Sequence, residues 1–120
     1  MSHIVTIETR VHDRAAIIAA CHRLGLAVPL EGTAKLYSGE ASGLLLNLPG
    51  WTYPAVIDPL SGIVKYDNFG GTWGDPRHLD HFLQAYAVAK ATQEARKKGL
   101  QVTEQALQDG SIKLQIHEGS

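Results

Sequence analysis

The sequence predicts an α+β fold, a mainly antiparallel sheet of about six or seven strands with two helices packed on one face. Three features predict it. Apolar and polar residues alternate with period two near both ends of the chain, as in half-buried strands. Two stretches carry helical apolar spacing between recognisable caps. Between those stretches, glycine and proline recur too often for another long helix.

The elements follow in order. Residues 3–11 alternate, with Val5, Ile7 and Val11 on one side and Thr6, Glu8 and Arg10 on the other, which predicts a strand with one wet face. Asp13 is suited to cap a helix over 14–24, and Gly25 can take the left-handed conformation that ends it. Ile17, Cys21 and Leu24 share one face of that helix, so Cys21 reads as a small packed hydrophobe. Short strands are expected at 33–37, 43–48, 53–58 and 63–68, the last two joined as a hairpin by Asp58-Pro59-Leu60-Ser61-Gly62. Gly70-Gly71-Thr72-Trp73-Gly74 forms a loop leading to Asp75-Pro76, a capping residue followed by proline at the first helical position. The second helix carries the stripe Leu79, Phe82, Leu83 and Tyr86, and Arg96-Lys97-Lys98 complements its negative end before Gly99. Segments 100–107 and 111–117 read as strands around the Asp109-Gly110 turn. Lys113 and Gln115, with Thr6, Glu8 and Arg10, are expected to face water.

At 120 residues the chain fits a single domain spanning 1–120, long enough to bury a self-sufficient core. Eleven basic and twelve acidic side chains give a formal net charge of -1, which supplies no field for nucleic acid or anionic lipid. Apolar runs are far shorter than the roughly 20 residues of a membrane helix. The start Met1-Ser2-His3-Ile4 lacks the layout of a secretion signal, and one cysteine cannot pair internally, so the expected compartment is the reducing cytoplasm.

Met1-Ser2-His3-Ile4 with Thr6-Ile7-Glu8-Thr9, then Tyr86-Ala87-Val88-Ala89-Lys90 with Glu94 and Lys98-Gly99-Leu100-Gln101, resemble the hypothetical chloroplast reading frame thirty-five family of plastids, cyanobacteria and other bacteria. The resemblance is collinear and extends to Tyr37-Ser38-Gly39-Glu40, Trp73-Gly74 and Asp109-Gly110-Ser111-Ile112. The segment Leu48-Pro49-Gly50-Trp51 and the glycine-rich approach to Trp73 depart from the family's pattern. The resemblance implies a domain without an assigned activity, and an accessory role beside an ATPase of the AAA type.

The residues offer little catalytic chemistry. His78 and His81 could face one way on a helix, with Asp75 or Asp80 as an oxygen donor, but a metal site needs three or four ligands. No Gly-x-Ser-x-Gly elbow places a nucleophile, and the Gly70-Gly71 loop lacks a phosphate-binding lysine while Asp75 stands where an anion would sit. Asp58 and Asp67 read as surface charge. No catalytic residue, metal or cofactor is therefore expected.

The least ordinary feature is the concentration of Trp51, Tyr53, Tyr66, Phe69 and Trp73 among glycines and prolines. Core filling is the plainer explanation; a binding surface is the alternative. On the second reading the site comprises Trp51, Tyr53, Phe69, Thr72, Trp73 and Asp75, with Trp73 as anchor. The function expected is a non-enzymatic interaction or accessory domain with a protein partner. A small-molecule binder or enzyme with a pocket near Trp73, where Asn68, Thr72 and Asp75 could converge, is the alternative.

Overall fold

The computed structural model describes residues 5–7 and 10–118, with side chains from Arg10 onward. The α+β class and the antiparallel pairing are as expected, but the strands form two sheets instead of one. Strands β1 (Val5–Ile7), β2 (Leu30–Leu36), β3 (Gly39–Leu46), β4 (Ala55–Ile57) and β5 (Val64–Tyr66) make an antiparallel sheet in the order β1-β5-β4-β3-β2. Strands β6 (Leu100–Ala106) and β7 (Ile112–Glu118) pair only with each other. Helices α1 (Arg14–Leu24) and α2 (Pro76–Lys97) match their expected bounds. No helix among the described residues is long and apolar enough to cross a membrane.

Both helices begin at carboxylate caps. Asp13 accepts from the Ala16 N–H (3.0 Å) and Asp75 from the Arg77 N–H (3.0 Å), each satisfying an amide that has no partner within its helix. The main core lies between the helices and one face of the large sheet. It joins Ile17, Cys21, Leu79, Phe82 and Tyr86 to Leu44, Leu46, Ala55, Ile57 and Val64. Burial pushes the Cys21 thiol up, away from the thiolate, in keeping with a packing role. Leu24, assigned to the same stripe, is instead 37% exposed, and Ala16 and Ala20 complete the buried face.

The separate hairpin has a physical cause in α2. At about 100° per residue, Gln84, Val88, Ala91 and Ala95 lie half a turn away from Leu79, Phe82 and Tyr86. Val88 and Ala95 are nonetheless buried. The hairpin lies back along this second face, tied at its tip by Gln84 Nε2 donating to Gly110 O (3.1 Å) and at β6 by the Arg23–Glu104 ion pair (2.6 Å). The helix pair therefore has a β layer on two sides, which corrects the expectation of one sheet with both helices on one face.

The β2–β3 hairpin bends sharply. Asp67 follows β5, and the β3–β4–β5 registers place it beside the Leu46 end of β3. The turn Tyr37–Ser38 starts β3 at its other end, more than 20 Å away along a straight strand. Yet Ser38 Oγ stands 3.4 Å from Asp67 Oδ2. The hairpin closes this distance by folding over the sheet face opposite the helices, where Ala34, Leu36 and Ala41 pack on Val56 in a second small core. Gly32 and Gly43 face each other on the rung where it bends. That face is thus partly covered, whereas a wet face was expected; Arg10, Lys113 and Gln115 are exposed, and the side chains of Thr6 and Glu8 lie outside the described residues. Of the strand expected over 3–11, Val5–Ile7 is found, His3, Ile4, Glu8 and Thr9 lie outside the described residues, and Arg10 and Val11 are in no strand.

One polar cluster joins the helices. Tyr86 donates its hydroxyl hydrogen to Arg10 O (3.2 Å) and accepts from the Asp13 N–H (3.1 Å), while Lys90 Nζ donates to Asp13 Oδ2 (2.9 Å). The Lys90 ammonium, then the Ala16 amide, hold the Asp13 carboxyl below its usual value. A carboxyl so depressed stabilises the fold above its unfolded pKa, and that contribution is lost as pH falls through the folded value. Asp13→Ala should cost about 1 to 2 kcal/mol at pH 7 by urea denaturation, and the gap from the parent should shrink as pH falls below the usual carboxylate range. A gap independent of pH would assign the loss to chain geometry alone.

Candidate functional site

The aromatic side chains divide into two groups. Trp51 faces inward: it packs against the main core, meets Tyr66 edge-on (centroids 5.4 Å apart) and donates Nε1–H to Asp75 O (3.0 Å). Its indole lies on Gly74, where a methyl group would overlap the ring. Trp51, expected among the binding residues, thereby packs against the start of α2. Trp73 is half-buried and gathers three other rings. Phe69, Tyr37 and Tyr53 have centroids 4.8, 5.1 and 5.7 Å from its own.

The loop carrying Trp73 is built around Asn68. Its carbonyl accepts from the Gly71 and Trp73 amides (3.0 and 2.9 Å), and its buried side chain donates to Gly74 O (3.1 Å). Thr52 N–H donates to Trp73 O (2.8 Å), linking this loop to the segment before β4. Phe69 takes a left-handed conformation (φ +47°), unfavourable for a bulky side chain. The strain directs its ring toward Trp73 while leaving it 39% exposed; Tyr37 is 63% exposed. The result is an aromatic surface held by a tied loop and the folded-back β2–β3 turn.

The sequence places Tyr37 at the end of a strand, and Tyr37-Ser38 carries no Asn-Gly or Asp-Gly signature to mark the turn found there. Asp67, expected as surface charge, is buried beneath that turn; Oδ1 has no hydrogen-bond partner among the described residues. Asp58 stands at the opposite end of the β4–β5 pair, where its carboxylate accepts from Leu60 N–H (3.0 Å), so the two carboxylates do not meet. Thr72 is exposed beside the cluster. The Asp75 carboxylate is occupied: the Arg77 guanidinium bonds it (2.7 and 3.0 Å) and, with the Arg77 amide, lowers its pKa to about 2.

Tyr37, Tyr53 and Phe69 each approach the Trp73 ring. Cavities among the described residues include one between α1, α2 and β6, one at the Gly32–Gly43 bend, and one lined by Leu24, Leu26, Pro49, His78 and His81. His78 and His81 have ring centroids 6.5 Å apart, and among the described residues no group of three or more metal-ligating side chains forms around them. No protein-family model matches the chain, and no curated protein or solved structure does so either.

Proposed function

We propose that the protein is a non-enzymatic accessory domain that docks a protein partner through Tyr37, Phe69, Trp73 and Tyr53. The observation that carries this reading is the exposure of Tyr37 and Phe69 on a Trp73 hub whose loop is fixed by its own hydrogen bonds. Tyrosine and tryptophan deliver large contact areas at low entropic cost, and fixed presentation lowers the cost of binding further. Thr72 belongs to the rim of this surface; Trp51 and Asp75 support it from behind. The resemblance to the chloroplast reading frame family makes an AAA-type ATPase the first partner to test.

The Tyr37→Ala/Phe69→Ala double variant tests the reading. Both rings are substantially solvent-exposed, so its stability should stay within about 1 to 2 kcal/mol of the parent in urea denaturation. Affinity for the ATPase should fall about 30-fold or more, the scale of a binding hot spot. Unchanged affinity would reject this surface, and global unfolding would make the cluster part of the core.

A further inference from the structure

Strand β2 lies at one end of the large sheet and pairs with β3 alone, so its outer edge is open among the described residues. The Leu36–Gly39 pair closes a two-residue turn and is therefore hydrogen-bonded, and along an antiparallel ladder bonded and non-bonded pairs alternate. Gly32, Ala34 and Leu36 thus direct their amides and carbonyls to β3, while those of Glu31, Thr33 and Lys35 point away from it. These outward groups have no other backbone partner among the described residues.

An open edge is a template for a further strand, and a charged side chain on it commonly keeps other chains away. The edge Leu30-Glu31-Gly32-Thr33-Ala34-Lys35-Leu36 is instead complementary to itself. A second copy laid antiparallel with the two-fold axis at Thr33 sets Glu31 opposite Lys35 on both sides of the axis, and Leu30 opposite Leu36. An axis at Glu31 or Lys35 would oppose two like charges, and one at Gly32 or Ala34 would set each charge against a neutral residue. Glu31, Thr33 and Lys35 are exposed; Arg14 engages only Oε1 of Glu31, and Lys35 forms no ion pair among the described residues. On the other face Gly32 meets Ala34, small residues that let the backbones approach, and Leu30, 75% exposed, gains an apolar neighbour. We propose that the protein forms a two-fold dimer in which β2 pairs antiparallel with β2 of a second copy about Thr33, joining the two sheets through about six backbone hydrogen bonds. The interface uses none of Tyr37, Tyr53, Phe69 and Trp73, and stands or falls separately from the aromatic surface.

Sedimentation equilibrium of the full chain from about 1 to 500 μM should show the mass rising from one chain to two, with a Kd in the micromolar range expected of a small interface. In the concentrated sample, amide exchange followed by NMR should slow at Glu31, Thr33 and Lys35, whereas Gly32, Ala34 and Leu36, bonded within the hairpin, should exchange slowly at every concentration. Glu31→Lys and Lys35→Glu each place like charges opposite one another across the axis, and each should weaken dimerisation about tenfold or more. An equimolar mixture of the two variants restores opposite charges on both sides and should dimerise as the parent does. Both positions are exposed, so each variant should keep the parent's circular dichroism spectrum. A single-chain mass at every concentration, single variants that dimerise like the parent, a mixture no tighter than either variant alone, or a dimer in which Thr33 exchange is unchanged would each overturn the proposal. If a variant unfolds, the mass and amide exchange of the parent decide alone.

Discussion

Phe82→Ala should destabilise the protein by about 3 to 5 kcal/mol, the usual loss for emptying a large buried aromatic site. Phe82 is fully buried, on the α2 face that meets both α1 and the sheet, so its removal leaves a void among Ile17, Leu44, Ile57 and other members of one core. That core joins the large sheet to both helices. Urea denaturation should show the loss as a lower midpoint with an unchanged slope. A cost below about 1 kcal/mol, typical of surface changes, would mean that α2 is rotated relative to the sheet.

Gly43→Ala should cost roughly 3 kcal/mol or more, for two reasons that act together. Gly43 has φ +155°, a region that side chains rarely enter, and strain there is worth about 1 to 3 kcal/mol. A methyl group would also overlap the Ile57 carbonyl, whose carbon would stand 2.9 Å from it; overpacking of this kind costs about 1 to 3 kcal/mol more. The opposing Gly32 is an internal control. A methyl there meets only the end of the Leu45 side chain at 3.2 Å, with no positive φ, so Gly32→Ala should cost under about 1 kcal/mol. The Gly43 variant should also change tryptophan fluorescence, because an unbent hairpin withdraws Tyr37 from Trp73. Equal effects at the two glycines would show that the rung does not set the bend.

The elements legible in the sequence were those with local physical signatures. Asp13 and Gly25 bracket α1, Asp75-Pro76 and Gly99 bracket α2, and Asp109-Gly110 marks the last hairpin. What was not legible depended on pairing at a distance. The alternation of Ile112, Leu114 and Ile116 indicates a half-buried strand but does not say whether it joins the large sheet or covers the far side of α2. The second face of α2 is subtle in sequence because Val88, Ala91 and Ala95 are small or isolated. The bend at Gly32 and Gly43 became visible only with their register, since glycine in a strand alone signals a turn as readily as a fold-back. The same gap concealed Tyr37 and the burial of Asp67, which the bend creates. In the aromatic group, nothing local separates Trp51 from Trp73; the difference is that Gly74 lies under one indole and three rings surround the other.

Hydrogen exchange on the complex with its partner is the most direct test of the proposed working surface. Amides of 35–40 and 68–74 should become protected when partner is added, while those of β6 and β7 keep the rates of the free protein. Protection centred on the β6–β7 hairpin, with 35–40 and 68–74 unchanged, would contradict the assignment of function to the Trp73 cluster.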